Sequence, residues 1–285
     1  MTARSAPAPG VDAHHHVWQL ARGDYGWLTP ALAPIYRDFT LADLLPLLAD
    51  SGIGTTVLVQ AAPTVAETHF LLQVARASGG LVRGVVGWAD LAAEDADATL
   101  ARLARDPLLK SVRPMLQDIA DPDWILRADV GRALAVLPRL DLCFDALVTP
   151  MQLPALLRMI ERHPDLDVVV DHGAKPAIAT ARTQPWADLI VALARNPRVH
   201  CKLSGLVTEA GKRWTIGSLQ PYVDHLVACF GPDRLLWGSD WPVVNLGGGY
   251  RRWSAAAQAL LAGLGVAERA AIMGINARRF YRLEA

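Results

Sequence analysis

The sequence has few cysteines and no spacing that would pair them. Its three are Cys143, Cys201 and Cys229, and no two have CxxC spacing. An odd number without that spacing favours neither a disulfide framework nor a thiolate zinc site, so we expect buried free thiols. Lys202 follows Cys201 directly and could lower the pKa of that thiol, but no histidine in the sequence pairs with it to make a nucleophile.

The sequence also lacks an excess of either charge and any long hydrophobic run. Lysine plus arginine total 28, as do aspartate plus glutamate, so no net field attracts nucleic acid or an anionic membrane. Apolar runs such as residues 168–170 are far too short to span a bilayer, and residues 1–10 contain no signal-peptide core. We expect a soluble, cytoplasmic protein without nucleic-acid or membrane partners; whether it forms a homo-oligomer stays open.

Two common catalytic motifs are missing. No GxGxxG follows the first predicted strand, and residues 247–249 come after the last one, which argues against dinucleotide binding. No GxSxG occurs either, so a serine nucleophile on a strand-to-helix turn is not indicated. Any hydrolytic chemistry would therefore use water as its nucleophile.

The chain alternates β-rich segments with segments of helical apolar spacing, and 52% of its residues are hydrophobic. The β-rich segments are residues 11–18, 55–62, 82–90, 109–117, 142–148, 167–176, 199–206 and 235–242. Eight such units without a linker predict a (β/α)₈ TIM-like barrel over residues 1–285, with 1–10 as a disordered or extended tail. A doubly wound open sheet is the alternative, and residues 268–283 predict a closing helix.

The predicted barrel places functional side chains at the C-terminal ends of its strands. Residues 18–38 follow the first strand and would form a lid or wall there. His14 and His16 point the same way on a strand, and His15 points away, against a helix. Two imidazoles on one face can hold one metal ion, although an HxH pair alone is a weak signal.

Two other strand ends strengthen this prediction. Asp240 ends the eighth strand, which adjoins the first in a closed barrel, and His172 follows the apolar run of the sixth. A neutral imidazole there suits metal binding or proton transfer. A loop cap for Asp240 and a backbone-satisfied histidine at 172 remain the alternatives.

Two cations, Arg113 and Lys202, are predicted at the same rim. A buried charge needs a partner, so each binds either a substrate oxygen or a carboxylate such as Asp145 or Asp171. Aromatic and amide side chains near the strand ends suit a polar, ring-shaped ligand, with core packing as the alternative for any single tryptophan. These residues are Trp27, Gln60, Trp88, Gln117 and Trp241.

Taken together, segments such as DAHHHVW, ARGDYGWL, VRPMLQD, VVVDHGAKP, CKLSGLVTEA and GSDWPV resemble the amidohydrolase superfamily. More narrowly, they resemble its lactonases related to L-fuconolactonase and 2-pyrone-4,6-dicarboxylate lactonase, over about residues 11 to 283. The resemblance implies a distorted barrel in which His14 and His16 match the first-strand pair, His172 the sixth-strand histidine and Asp240 the eighth-strand aspartate.

The sequence departs from the fuller pattern of that superfamily at three positions. Asp145 stands where a histidine ligand often occurs, and Arg113 stands where a bridging lysine or glutamate often occurs. A two-metal centre is therefore not expected. Pro114 follows Arg113 where relatives with fuconolactonase activity often carry a histidine, so the resemblance leaves the sugar open.

The resemblance implies hydrolysis of a small cyclic ester, a sugar-acid lactone or related carboxylate. Asp240 would be the general base, and His14, His16, Asp240 and His172 would hold one divalent ion, zinc by preference, that activates water or carbonyl. Without a metal, the histidines would donate hydrogen bonds to the oxyanion. A decarboxylase or amide hydrolase on the same barrel and a non-catalytic sugar-acid binding barrel are the alternatives.

Overall fold

The computed structural model describes residues 10–283. The tail predicted over residues 1–10 lies outside that range except for Gly10, which opens the first strand. The eight strands are β1 (Gly10–His15), β2 (Ile53–Val59), β3 (Val82–Gly87), β4 (Leu109–Val112), β5 (Cys143–Ala146), β6 (Val168–Val170), β7 (Val199–Leu203) and β8 (Leu235–Trp237). Each lies in or overlaps a predicted β-rich segment, and the predicted extensions beyond the strands form the loops of the C-terminal rim.

The strands form one parallel sheet in the order β1 to β8. The two edge strands meet beyond the end of β8: the Asp240 N–H donates to the His14 carbonyl at 2.7 Å, and the His16 N–H to the Trp241 carbonyl at 2.6 Å. Gly238 allows this approach, because a Cβ there would lie 2.6 Å from the His14 Cβ. The predicted barrel is confirmed, and its closure brings β1 to the segment after β8.

Helices cover the outside of the sheet. They are α1 (Leu41–Asp50), α2 (Val65–Ala77), α3 (Ala96–Leu103), α4 (Ala128–Val136), α5 (Leu153–Arg162), α6 (Trp186–Ala194), α7 (Leu206–Glu209), α8 (Ile216–Phe230), α9 (Tyr250–Leu260), α10 (Val266–Ala270) and α11 (Asn276–Phe280). Hydroxyl side chains cap the N-termini of several helices. At the start of α2, for example, the Thr64 hydroxyl accepts a hydrogen bond from Glu67 N at 3.0 Å. No helix among residues 10–283 is long and apolar enough to cross a membrane.

Two apolar clusters fill the molecule, one inside the barrel and one between sheet and helices. Along β2, Val57 and Val59 belong to the inner cluster and Leu58 to the outer, as strand alternation requires. The predicted C-terminal helix is divided into α10, one π-helical turn and α11. Phe280 and Tyr281 at its end join the inner cluster, so this segment closes the N-terminal end of the barrel.

The cysteines are free thiols, as predicted. Cys143 and Cys201 are buried and Cys229 is half-buried. The idea that Lys202 lowers the pKa of Cys201 does not hold, because burial outweighs the lysine and raises the pKa of that thiol.

Candidate active site

Four predicted site residues converge at the C-terminal rim. His14 and His16 lie at the end of β1, His172 follows β6, and Asp240 follows β8. Asp240 Oδ1 lies 3.3 Å from His16 Nε2, 3.8 Å from His14 Nε2 and 4.0 Å from His172 Nε2. His15 instead places its Nε2 2.9 Å from the hydroxyl of Thr56 on β2. The triplet is thus a pair at the site and one histidine bonded to a neighbouring strand.

Unusual backbone geometry aims two of these side chains. His172 has φ +56° and Asp240 has φ +57°, both in the left-handed region that residues other than glycine rarely adopt. Gly205 makes room for His172: its φ is +66°, and a Cβ there would lie 2.6 Å from the imidazole Cγ and Nδ1. Strain of this kind persists where surrounding structure imposes it, and it is concentrated at functional sites.

Hydrogen bonds fix how the imidazoles present their nitrogens. His16 Nδ1 donates to the Val59 carbonyl at 2.8 Å, which turns Nε2 toward Asp240 Oδ1 at 3.3 Å. His172 Nδ1 lies 2.9 Å from the Ser204 hydroxyl, with its Nε2 again on the Asp240 side. Burial lowers the pKa of His172 to about 4, so this ring is neutral at physiological pH. A neutral, oriented imidazole such as His172 suits both metal binding and hydrogen bonding.

Each ring nitrogen of His14 faces one neighbouring donor and one neighbouring acceptor. Its Nδ1 faces Lys202 Nζ at 3.1 Å and Asp171 Oδ1 at 3.4 Å; its Nε2 faces Arg113 Nη1 at 3.4 Å and Asp240 Oδ1 at 3.8 Å. Burial, reinforced by the Lys202 charge, holds the pKa of His14 well below its usual value. Either neutral tautomer is therefore satisfied at this position.

Asp240 is the buried carboxylate at the centre of the group, and its residue is only 4% exposed. Burial by itself would raise its pKa, but His172, His16 and Lys175 together outweigh burial and lower that pKa below the ordinary 3.8. The carboxylate is consequently ionised at neutral pH. It can accept a proton there.

A buried ion network lies beneath the histidines. Lys202 Nζ is 2.5 Å from Asp145 Oδ2 and 3.0 Å from Asp171 Oδ1, and Arg113 Nη1 donates to Asp171 Oδ2 at 3.0 Å. The Tyr281 hydroxyl donates to Asp145 at 2.8 Å from below. The lysine, both aspartates and the tyrosine are fully buried. Both predicted cations therefore have carboxylate partners, and Lys202 holds His14 in place rather than lining a cavity.

A pocket of about 200 Å³ opens above Asp240. Its lining residues are His16, Trp27, Ala61, Arg113, Met115, Gln117, Asp118, Leu147, His172, Lys175, Asp240 and Val243. A larger cavity of about 570 Å³ lies at the opposite end of the barrel, beside Gly10 and Ile53. Its described lining contains neither an imidazole nor a carboxylate, so the smaller pocket is the candidate active site.

The predicted ligand-contacting residues divide into two groups. Trp27, Arg113 and Gln117 line the pocket. Gln60, Trp88, Trp241 and Lys202 are not among its described lining residues. Gln60 supports Arg113, since its side-chain amide donates to the Arg113 carbonyl at 2.7 Å and its own carbonyl accepts from the guanidinium. Trp241 is 2% exposed and packs perpendicular to Phe39, so core packing describes it better than ligand contact.

Sequence reasoning missed several residues of the wall. Met115 and Leu147 lie in predicted strand-end segments but carry no polar signal. Lys175, three residues after His172, reaches the pocket from a left-handed backbone, with its Nζ 3.6 Å from Glu209 Oε1. Its position within the HGAKP turn was the only signal that could have identified it.

The donor atoms fit a single metal ion. One ligand atom each from His14, His172 and Asp240 lies within 4.8 Å of the others, and all three residues are buried. His16 Nε2, 3.3 Å from Asp240, completes the set predicted from the sequence. Two imidazoles with bonded Nδ1 atoms are typical of zinc ligands, whose second nitrogen is fixed by a neighbour. The cations Lys202 and Arg113 lie against His14 and would repel a second ion there.

Known proteins share this architecture. A family profile described as Amidohydrolase matches residues 11–283. A curated L-fucono-1,5-lactonase of Burkholderia ambifaria is 48% identical over 278 residues, covering 96% of each chain. A second L-fucono-1,5-lactonase, of Burkholderia multivorans, is 36% identical over 294 residues, again covering 96% of each chain. A crystal structure of an amidohydrolase from Burkholderia multivorans with bound zinc superposes with a TM-score of 0.91 at 36% identity, covering 97% of this chain and 100% of that one.

Proposed function

The chain belongs to the amidohydrolase family and is a hydrolase of sugar-acid lactones, and on this premise we propose that its substrate is a lactone of the L-fucono-1,5-lactone class. One observation carries the proposal: an ionised, buried Asp240 lies within 4.0 Å of three histidines at the base of a pocket whose size suits a single sugar ring. Pro114 leaves the choice among related sugars to experiment.

Asp240 acts as the general base. A water between its carboxylate and the lactone loses a proton to Oδ1 while its oxygen adds to the carbonyl carbon. The tetrahedral intermediate then collapses, the bond from that carbon to the ring oxygen breaks, and Asp240 returns the proton to the ring oxygen. The product is the open-chain hydroxy acid, and the base is regenerated without a covalent intermediate.

Donors around the base stabilise the charge that develops on the carbonyl oxygen. His172 faces this region with a fixed ring and can donate from Nε2 when its Nδ1 accepts from the Ser204 hydroxyl. Arg113 lines the wall, held by Asp171 and by Gln60. Preorganised donors in a buried site stabilise an oxyanion more than water does, because they need no reorganisation during the reaction. Arg113 also binds the carboxylate of the product.

The remaining walls recognise the ring. Trp27, Met115 and Leu147 offer apolar surface, and Gln117 and Lys175 offer polar groups. Apolar faces with a few polar groups are typical of sites for small ring-shaped ligands. This division suits a sugar lactone, whose ring carbons and hydroxyls need different partners.

His14, His16, His172 and Asp240 would hold one divalent ion, preferably zinc. When bound, such an ion polarises the lactone carbonyl or lowers the pKa of the attacking water. Because His172 and Arg113 can themselves donate hydrogen bonds, we propose that they sustain a measurable rate without metal. Metal analysis of chelator-free protein, followed by dialysis against chelator and assay, tests this: a rate that vanishes and returns with zinc would make the ion essential.

The experiment that tests the function is a panel of aldonolactones and pyrones assayed with a pH indicator, because each turnover releases one acid. We expect acceleration over buffer for at least one six-membered sugar lactone. Asp240→Asn should lose it, whereas Asp165→Asn, an exposed carboxylate after α5, should retain it. No acceleration for any lactone would refute the assignment and leave a non-catalytic binding barrel.

The decarboxylase and amidase alternatives are not favoured, and the same preparations test them with aromatic carboxylates and amides. A cytoplasmic location stays a prediction from the sequence, and whether the chain forms a homo-oligomer stays open.

A further inference from the structure

A buried carboxylate outside the pocket joins two parts of the pocket wall. Glu67 lies in the first turn of α2, its side chain is 0% exposed, and it is not among the described lining residues. Its Oε2 accepts a hydrogen bond from the Tyr25 hydroxyl at 2.8 Å, and its Oε1 accepts one from Ala61 N at 3.3 Å. One side chain thus holds both the loop after β1 and the end of β2.

The two segments that Glu67 holds meet at the pocket wall, where Trp27 contacts Ala61. The Trp27 indole N–H donates to the Ala61 carbonyl at 2.7 Å, and both residues line the pocket. Ala61 is therefore fixed at its N–H by Glu67 and at its carbonyl by Trp27. Tyr25, two residues before Trp27, fixes the loop at a second point.

An aromatic cluster connects this anchor with the reacting groups. Trp18 packs against Tyr25 at 6.4 Å and perpendicular to Trp27 at 5.6 Å between ring centroids. On its other side Trp18 stacks on His16 at 6.4 Å with an interplanar angle of 29°. A shift of the loop would therefore move the aromatic wall relative to the site.

Apolar packing alone would not require a carboxylate here. Burial of a carboxyl group is costly, and it raises the pKa of Glu67 to about 7. Arg22 Nη2, 3.5 Å from Glu67 Oε2, is bonded mainly to Asp24 at 2.7 Å. Hydrogen bonds have directions that hydrophobic contacts lack, so this arrangement specifies one loop position instead of several.

We propose that Glu67 is a positioning residue that fixes Trp27 against the lactone ring through Tyr25 and Ala61. The inference rests on the proposed function, since Trp27 is taken to contact the substrate. Glu67 is remote from the transferred proton. Replacing Glu67 is therefore expected to raise KM and to leave kcat nearly unchanged.

Tyr25→Phe tests the anchor by removing one hydroxyl and leaving the ring. We expect KM to rise about tenfold, the equivalent of ~1.4 kcal/mol and of one hydrogen bond, with kcat within about twofold. Tyr222→Phe is the matched control, because Tyr222 lies on α8 and its buried hydroxyl has no hydrogen-bond partner among the described residues. The proposal would be overturned if KM is unchanged in Tyr25→Phe, or if kcat falls by as large a factor as KM rises.

Two further comparisons separate positioning from a general loss of structure. Glu67→Gln keeps one acceptor oxygen and should raise KM less than Glu67→Ala. Tyr25→Phe combined with Trp27→Phe should raise KM less than the product of the single effects, because both act on one wall. Independent, multiplicative effects would contradict the shared anchor.

A readout without turnover keeps this inference distinct from the proposed function. The indole N–H resonance of Trp27 can be assigned by its loss in Trp27→Phe. In Tyr25→Phe we expect this resonance to shift and its hydrogen exchange to accelerate, with no change in Tyr222→Phe. If wild-type protein hydrolyses no lactone, the proposed function fails, and an unmoved Trp27 resonance would separately refute the positioning role.

Discussion

Replacing Glu67 by glutamine should change how stability depends on pH. Burial raises the pKa of this carboxyl from 4.5 to about 7, although Tyr25 and Ala61 hydrogen-bond to it. Between those two values the folded protein keeps a proton that the unfolded chain has lost. Stability therefore falls as pH rises through this window, and the loss is complete above the folded pKa.

The magnitude follows from the shift. At 1.36 kcal/mol per pKa unit, a shift of roughly 2.5 units corresponds to about 3 kcal/mol. Wild type should thus lose about 3 kcal/mol of unfolding free energy relative to Glu67→Gln between about pH 4 and pH 8. Taking the difference between the two proteins cancels the other titrating groups that they share.

Urea denaturation followed by tryptophan fluorescence at several pH values measures this difference. Glu94→Gln, a change at an exposed glutamate before α3, is the matched control. A wild-type-minus-variant difference that stays flat from pH 4 to pH 8, or that rises with pH, would refute the reasoning. A flat result would mean that the carboxylate is already ionised and stabilised in the folded protein.

Three further predictions concern the site. Asp240→Asn should lower kcat by about 10²–10⁴-fold, the usual contribution of a general base, and a fully active variant would exclude that role. The acid limb of the wild-type kcat/KM profile should lie below the ordinary carboxyl pKa of 3.8, because the pKa of Asp240 is lowered. Lys202→Met should destabilise the fold by about 3–5 kcal/mol in urea, because it leaves Asp145 buried without a cation and Asp171 with Arg113 alone. Adding Asp145→Asn should recover part of the loss, and no recovery would contradict the pairing. Gly205→Ala should lower kcat about tenfold or more in a steady-state assay, because its Cβ would meet the His172 ring at 2.6 Å; an unchanged kcat would show that the ring moves freely.

The sequence alone predicted the barrel and which side chains meet at the centre of its rim. Eight β-rich segments alternating with helical ones leave few arrangements, and a closed parallel barrel places every strand end at one rim. That closure is why Asp240 could be placed beside His14 and His16 from positions more than 220 residues apart, and the structure brings them within 3.8 Å.

Tertiary structure decided the surroundings of that centre. Whether Lys202 binds a ligand or a carboxylate depends on how far its ammonium lies from the rim, which the spacing of strands in the sequence does not specify. In the structure Lys202 lies beneath His14, between Asp145 and Asp171. Lys175 lines the pocket from a left-handed backbone conformation, which no apolar period encodes. The contact between Glu67 and Tyr25 joins side chains 42 positions apart through loop geometry that no periodicity encodes. Periodic patterns specify which face a side chain occupies, whereas its partners are set by how loops pack over the rim.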